Sequence, residues 1–217
     1  MDSLQATLQN ARSSLGKTVC AALVSNGYKT ARFAATGQEA REWVLDLLPD
    51  GCSVGVPGTV TVRQLGLLPA LEKKGCRVFH HWDPSLTPDE RRNRLKEENE
   101  ADWIVTSSNA MTIDGKMVNI DGVGNRVAGI AWAPGKLLFI VSVNKIEPDI
   151  GHAIDRARNT ATPPNALRVG AKPPCTQTGY CVDCRSSDRI CRVVSIIERV
   201  PTGREAHVIL VGEPLGY

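Results

Sequence analysis

Aromatic residues make up only 5% of this 217-residue chain, and its formal net charge is only +3. Few rings leave few platforms for stacking bases, and so small a positive excess gives little pull on a phosphate backbone. Nucleic acid is therefore not an expected partner. Long apolar runs are missing as well: none approaches the roughly 18 residues expected of a membrane span. The opening Met-Asp-Ser-Leu-Gln-Ala-Thr-Leu-Gln-Asn has no basic stretch leading into an apolar one, so it does not read as a secretory signal. With an odd cysteine count of seven, that start points to a reducing cytoplasm, where disulfides rarely persist. Familiar catalytic signatures are absent too: there is no Gly-x-Ser-x-Gly elbow and no His-Glu-x-x-His. Gly122 and Gly124 lack a third glycine at position 127, which rules out a dinucleotide fingerprint.

What is present is ordinary for a globular protein, with 42% hydrophobic and 23% charged residues. The length suits a single domain over 1–217 with a proper core. Leu4, Leu8, Ala11, Leu15, Val19 and Leu23 recur at helical spacing and predict a long opening helix. Strands are expected over 30–34, 52–56, 76–80, 101–106 and 137–143, with helices between them. Thr36 and Glu39 form one capping-box pattern, and Thr87, Pro88 and Glu90 form another. The charged run 91–100 after the second box reads as a solvated face. A hairpin is expected over 110–120, turning at Asp114 and Gly115. Pro69 should interrupt the helix over 62–71, and Pro163 and Pro164 should end the helix that starts at Pro148. Strands at 193–197 and 208–211 close the chain. This alternation predicts an α/β fold: a mostly parallel sheet flanked by helices.

Ligands of open α/β sheets gather at the carboxyl ends of the strands. Three polar loops fall there: Gly55, Gly58 and Thr59, with Thr61 close by; Ser107, Ser108 and Asn109; and Asn144 with Lys145. Asn119, Asp121, Gly122, Gly124, Asn125 and Arg126 add a fourth group. Glycines admit backbone amides to a ligand, hydroxyls and amides give directed hydrogen bonds, and Lys145 or Arg126 can neutralise an anion. Each stretch taken alone is also an ordinary turn. His80 and His81 would face opposite sides of a strand, and His152 and His207 are isolated. Asp121 or Glu147 is the available base, but no catalytic constellation is legible.

Cysteines are concentrated late in the chain. Cys175, Cys181, Cys184 and Cys191 follow a Cys-x5-Cys-x2-Cys-x6-Cys spacing. Four thiols so close together suit a soft metal, either an iron–sulfur cluster or zinc, with inert thiols as the plain alternative. Pro173, Pro174 and Gly179 suit a wrapping loop, and Arg185, Arg189 and Arg192 can offset thiolate charge. The prolines mark 160–192 as an excursion from the sheet. Cys20, Cys52 and Cys76 sit singly among apolar neighbours and read as small buried hydrophobes.

The run from Thr106 to Val127, Thr-Ser-Ser-Asn-Ala-Met-Thr-Ile-Asp-Gly-Lys-Met-Val-Asn-Ile-Asp-Gly-Val-Gly-Asn-Arg-Val, followed by Val143-Asn-Lys-Ile146, closely resembles the LUD (lactate-utilisation domain) family. The segment from Pro174 to Cys191 resembles the cysteine tail of a subset of that family. The resemblance implies a fold like that of sugar-phosphate isomerases and CoA transferases, whose members bind phosphorylated or CoA-linked metabolites at strand-end loops. It also implies a [4Fe–4S] cluster, redox partner subunits and a place in lactate or organic-acid oxidation. Larger relatives carry ferredoxin-type cysteine runs that this chain lacks. Two rival readings stay open: an isomerase- or transferase-like enzyme with a structural metal such as zinc, and a regulatory interaction module. Oligomeric state is not legible.

Overall fold

A computed structural model describes residues 3–217. Its main sheet forms because several strands are apolar on both sides. In β7 (Lys136–Ser142), Leu138 and Ile140 face one core while Leu137, Phe139 and Val141 face another, and all five are buried. β10 (Ala206–Val211) repeats the pattern, with Ile209 and Val211 against Val208 and Leu210. Strands of that kind need cover on both faces, which is the setting of parallel sheets. With β1 (Thr30–Ala34), β2 (Ser53–Gly55), β3 (Arg77–Phe79) and β4 (Trp103–Thr106) they form a six-stranded sheet ordered β1-β10-β7-β4-β2-β3. Every pairing in it is parallel. The expected α/β fold with a parallel sheet between helices is therefore what the chain forms.

One face is covered by α2 (Gly37–Leu47), α3 (Val60–Gln64) and α4 (Leu67–Lys73), which supply Val44, Val62, Leu67 and Leu71 to the core. The other takes α1 (Ser3–Ser25) and α6 (Asn125–Trp132). A Cβ on Gly16 would lie 2.1 Å from the Phe33 ring, so that glycine lets α1 lie against β1. Leu4 and Leu8 remain exposed. α5 (Pro88–Glu100) packs beside β2 and opens with the expected capping box: Thr87 accepts from the Glu90 amide, and the Glu90 carboxylate accepts from the Thr87 amide. A second sheet, ordered β8-β5-β6-β9, joins the hairpin β5 (Ala110–Thr112) and β6 (Met117–Asp121) to β8 (Ile146–Glu147) and β9 (Val193–Ile197). β9 returns antiparallel along β6 from the end of the cysteine segment.

Several local expectations need correction. The helix over 62–71 breaks at Gly66, whose φ of +60° suits glycine, not at Pro69. Pro69 lies in the first turn of α4, where a missing N–H costs nothing. Likewise Pro163 and Pro164 sit in the first turn of α8 (Thr162–Arg168). α7 (Ile150–Arg156) reaches α8 through a π-helical turn, Ala157–Ala161, so the chain coils on where a break was expected. Glu39 reaches back to the amide of Ala35, one residue before its Thr36 cap. Cys52 and Cys76 are not isolated: neighbouring strands bring their Sγ atoms to 3.8 Å. Among the described residues all seven cysteines are free, and no helix is long and apolar enough to cross a membrane.

Candidate functional site: a strand-end cavity beside the cysteine segment

The carboxyl ends of β2, β3, β4 and β7 open into one cavity of about 330 Å³. The anticipated loops meet there. Gly58, Thr59, Ser107, Ser108, Asn109, Asp121, Gly122, Asn125, Arg126 and Lys145 all line it, as does Thr61. Four anticipated residues do not line it, and three of them have a structural task instead. A Cβ on Gly55 would fall 1.8 Å from the Glu98 carbonyl, so Gly55 lets α5 press on β2. Gly124, at φ +92°, turns the chain into α6. Asn144 offers its backbone carbonyl to Arg156. Asn119 is fully buried in β6, with both side-chain polar atoms unpartnered.

Lys145 forms the floor. It follows β7 in a 3₁₀ turn and is 4% exposed; Nζ donates to Thr61 Oγ1 at 2.9 Å and Ser107 Oγ at 3.2 Å. Among the described residues no carboxylate pairs with it. Burial, aided by the charges of Arg156 and Arg126, pushes its amine down to about 7. Thr59, which lines the same cavity, is 5% exposed, and among the described residues its Oγ1 has no partner. A buried cation without a counter-ion and an orphaned hydroxyl on the same wall are the groups an anion would satisfy.

Arg126 and Asp121 make a buried pair. Arg126 Nε and Nη2 lie 2.9 Å and 2.8 Å from Asp121 Oδ1, and Nη2 also donates to Asn109 Oδ1 and to the Ile120 carbonyl. Asp121 Oδ2 accepts from the Val127 amide at 2.7 Å and so caps α6. Both carboxylate oxygens are thus engaged, and Asp121 is a brace for the arginine, not the free base it could have been. Glu147 likewise stands 3.7 Å from Arg156 and outside the cavity lining. Ser108 is turned inward too, its hydroxyl 2.6 Å from the Ala110 carbonyl.

Sequence reasoning missed part of the wall. His81 lines the cavity because β3 ends at Phe79, so strand alternation no longer governs it. Thr162, Asn165 and Arg168 enter because the helix continues past the prolines. Arg156, 7% exposed, donates to the carbonyls of Asn144 and Asn109 and ties two of the loops together. Its place was visible only as one more basic residue on a helix.

The cysteine segment begins with α9 (Cys175–Thr178) and has no further regular element until β9. Side chains organise it. Arg189 donates to the carbonyls of Cys191 and Cys184 and pairs with Asp183, the one non-glycine residue with positive φ among those described. The Asp183 amide points to Cys181 Sγ at 3.4 Å, and Asn159 accepts from the Cys181 amide. Burial pushes the Cys175 thiol up, and the other three thiols of the segment, Cys184, Cys191 and Cys181, push it further. Among the described residues no three His, Cys, Asp or Glu side chains already have the geometry to hold a metal ion. The donor set itself is chemically apt: four thiols, an N–H aimed at sulfur and an arginine at the loop's centre.

The segment also forms a wall of the cavity. Ile190 lines it, Gly122 lets the Ile190 carbonyl approach (3.1 Å from a would-be Cβ), and the Arg192 amide donates to the Asp121 carbonyl. Ile190 is followed directly by the last cysteine, Cys191.

A two-layered cover over a parallel sheet, a hairpin sheet beside it and a strand-end pocket define the class of fold. The model of the LUD domain family matches residues 17–211, and the chain belongs to that family, which is associated with lactate utilisation. A DUF162 family protein from Deinococcus radiodurans has a similar fold: TM-score 0.51, 13% identity, covering 93% of this chain and 98% of that one. The Pyrococcus horikoshii OT3 translation initiation factor eIF-2B shares less, with a TM-score of 0.37 at 13% identity over 53% of this chain and 49% of that one. No curated protein matches.

Proposed function

We propose that this LUD-domain protein binds a small anionic metabolite on Lys145 and holds an iron–sulfur cluster, of the [4Fe–4S] type, on Cys175, Cys181, Cys184 and Cys191. It serves as an accessory redox component of lactate or related organic-acid oxidation, alongside redox partner subunits. The carrying observation is the shared wall: Ile190 of the cysteine segment lines the cavity, and the Asp121–Gly122 backbone of the cavity packs against Ile190 and accepts from the Arg192 amide. An anion arriving at Lys145 and a cluster beside Cys191 would then sense one another. The cluster supplies one-electron chemistry when bound; Arg189 and the Asp183 amide support its ligands, and Lys145, Thr59 and Arg126 bind and orient the anion.

Anaerobic purification with iron, acid-labile sulfide and zinc analysis tests the cluster. Stoichiometric iron and sulfide, lost in the Cys181→Ser/Cys184→Ser variant, is the expected result; zinc without iron would contradict it. A thermal-shift titration with phosphate, lactate and pyruvate tests the anion. Stabilisation that disappears in Lys145→Met is expected, by mass action on the folded state.

Lys145 favours a second reading, an enzyme of isomerase or transferase type with a structural metal. An amine pushed down to about 7 is available as a base or nucleophile at neutral pH. That reading predicts turnover of a bound metabolite by protein whose metal is redox-inert.

A further inference from the structure

The charges of helix α5 are exposed apart from the half-buried Arg94 and one fully buried carboxylate. Glu98 is fully buried, although burial of a carboxylate is costly unless something holds it. What holds it is His81: Nδ1 lies 2.7 Å from Glu98 Oε1. Among the described residues Glu98 Oε2 has no hydrogen-bond partner. Burial pushes the Glu98 carboxyl up, and the bond from His81 offsets part of that rise.

The imidazole is placed as well as paired. His81 lines the cavity next to Gly58, where a Cβ would stand 3.6 Å from His81 Cε1, and Trp82 packs edge-on at 5.6 Å. When Glu98 is ionised and the imidazole neutral, the bond puts the proton on Nδ1 and leaves Nε2 with its lone pair. Among the described residues Nε2 makes no hydrogen bond. Gly55 completes the arrangement, since a side chain there would push the Glu98 backbone, and the carboxylate with it, away from β2. A carboxylate behind an imidazole whose far nitrogen is open to a pocket is the arrangement of a general base with its orienting group.

We infer that His81 and Glu98 are the proton-transfer pair of this cavity, with His81 Nε2 exchanging a proton with the anion held at Lys145 and Glu98 as the positioning residue behind it. This rests on the anion-binding reading above and extends it to a ligand class: a small carboxylate or phosphate ester with an O–H, or a C–H beside a carbonyl. In the forward step the ligand's O–H or C–H bond breaks, the Nε2–H bond forms, and the electron pair stays on the ligand as an alkoxide or enolate oxygen. The charges of Lys145 and Arg126, on the same cavity wall, offset that negative charge. The proton returns by the same path, so the step needs no oxidant or co-reactant.

Carbethoxylation of the full chain by diethyl pyrocarbonate, followed by peptide mass spectrometry, reads the nucleophilicity of each histidine. His81 is expected to react, and to react about tenfold slower in Glu98→Gln, which keeps the hydrogen bond but removes the charge. Glu98→Asp, which keeps the charge but withdraws it, should fall between and secures the test if the first variant folds poorly. His152, exposed and paired with Asp149, is the internal control and should not change. A merely structural Glu98 would alter the melting temperature and leave the His81 rate constant where it was. An unreactive His81, or equal rates in all three proteins, overturns the inference.

Inorganic phosphate separates this inference from the reading beneath it. If phosphate raises the melting temperature and slows His81 modification, both stand. Stabilisation without protection of His81 overturns the proton-transfer pair and spares the anion site. With neither effect the anion site fails, and the Glu98 dependence alone decides whether the pair exists.

Discussion

The cavity and the cysteine segment touch, yet they are built differently. Around the cavity, buried side chains fix the backbone: Arg126 spans Asp121, Asn109 and Ile120, and Arg156 spans Asn109 and Asn144. Each loop leaves a strand of the main sheet or the hairpin, so its position is set by packing that needs no ligand. The segment over 179–192 has no helix or strand and is mostly exposed or half-buried. It is ordered by hydrogen bonds donated by Arg189 and the Arg192 amide and by one that Asn159 accepts from Cys181, and it touches the core through Cys191. One region is preorganised by the fold. The other is held by a few side-chain hydrogen bonds along an exposed loop.

Substitutions can break that contrast. Asp121→Ala should have the largest effect, because it strands the buried Arg126 and uncaps α6; a loss of about 3–5 kcal/mol is expected in chemical denaturation. A small loss would mean that the cavity is less rigidly framed than its hydrogen bonds indicate.

Lys145→Met should act in the opposite direction. It removes a buried amine without a counter-ion and is expected to stabilise the unliganded protein by about 1–3 kcal/mol while abolishing anion binding. The pH dependence sharpens the point. Unfolded, the amine keeps its proton to its ordinary value of 10.5, but in the fold it loses it near 7. Between those values the unfolded chain binds more protons, so this group makes stability rise with pH across that window. Denaturation of wild type and Lys145→Met at pH 7 and pH 9.5 should show the rise in the first protein only. Anion binding at pH 8 should take up a proton, seen as a buffer-dependent enthalpy.

The smallest effect concerns the segment. Asn159→Ala frees the Cys181 amide and should cost about 1 kcal/mol or less globally. Limited proteolysis should nonetheless accelerate within 179–192, with the sheet left intact. Equal proteolysis in both proteins would argue that the segment is anchored elsewhere.

Much of this was readable in the sequence. Doubly apolar runs such as Leu137 to Val141 imply a parallel sheet, and such a sheet places its polar loops at one end; Lys145, Ser107 and Thr59 follow from that. The failures are equally physical. Gly55 and Gly124 looked like ligand glycines because an unusual backbone need has the same signature whether it serves a ligand, a close-packed helix or a cap. His81 was lost to strand alternation applied two residues past the strand's end, and Glu98 to a charged run whose periodicity gives no hint of one buried member. Pro163 and Pro164 read as a stop because a first-turn proline and a terminating one look alike without the preceding π-helical turn. The contact of Ile190 with Gly122 joins residues far apart in sequence, and no local pattern announces it.

That contact is the basis of the central claim, that cysteine segment and cavity act as one site. Phosphate affinity of the anaerobically purified, metal-containing protein, compared with the same protein stripped by a chelator, tests it most directly. Coupling is reciprocal, so a change of about fivefold or more is predicted, with the matching shift in the metal centre's spectrum on phosphate addition. Equal affinities, with phosphate bound in both, would contradict it.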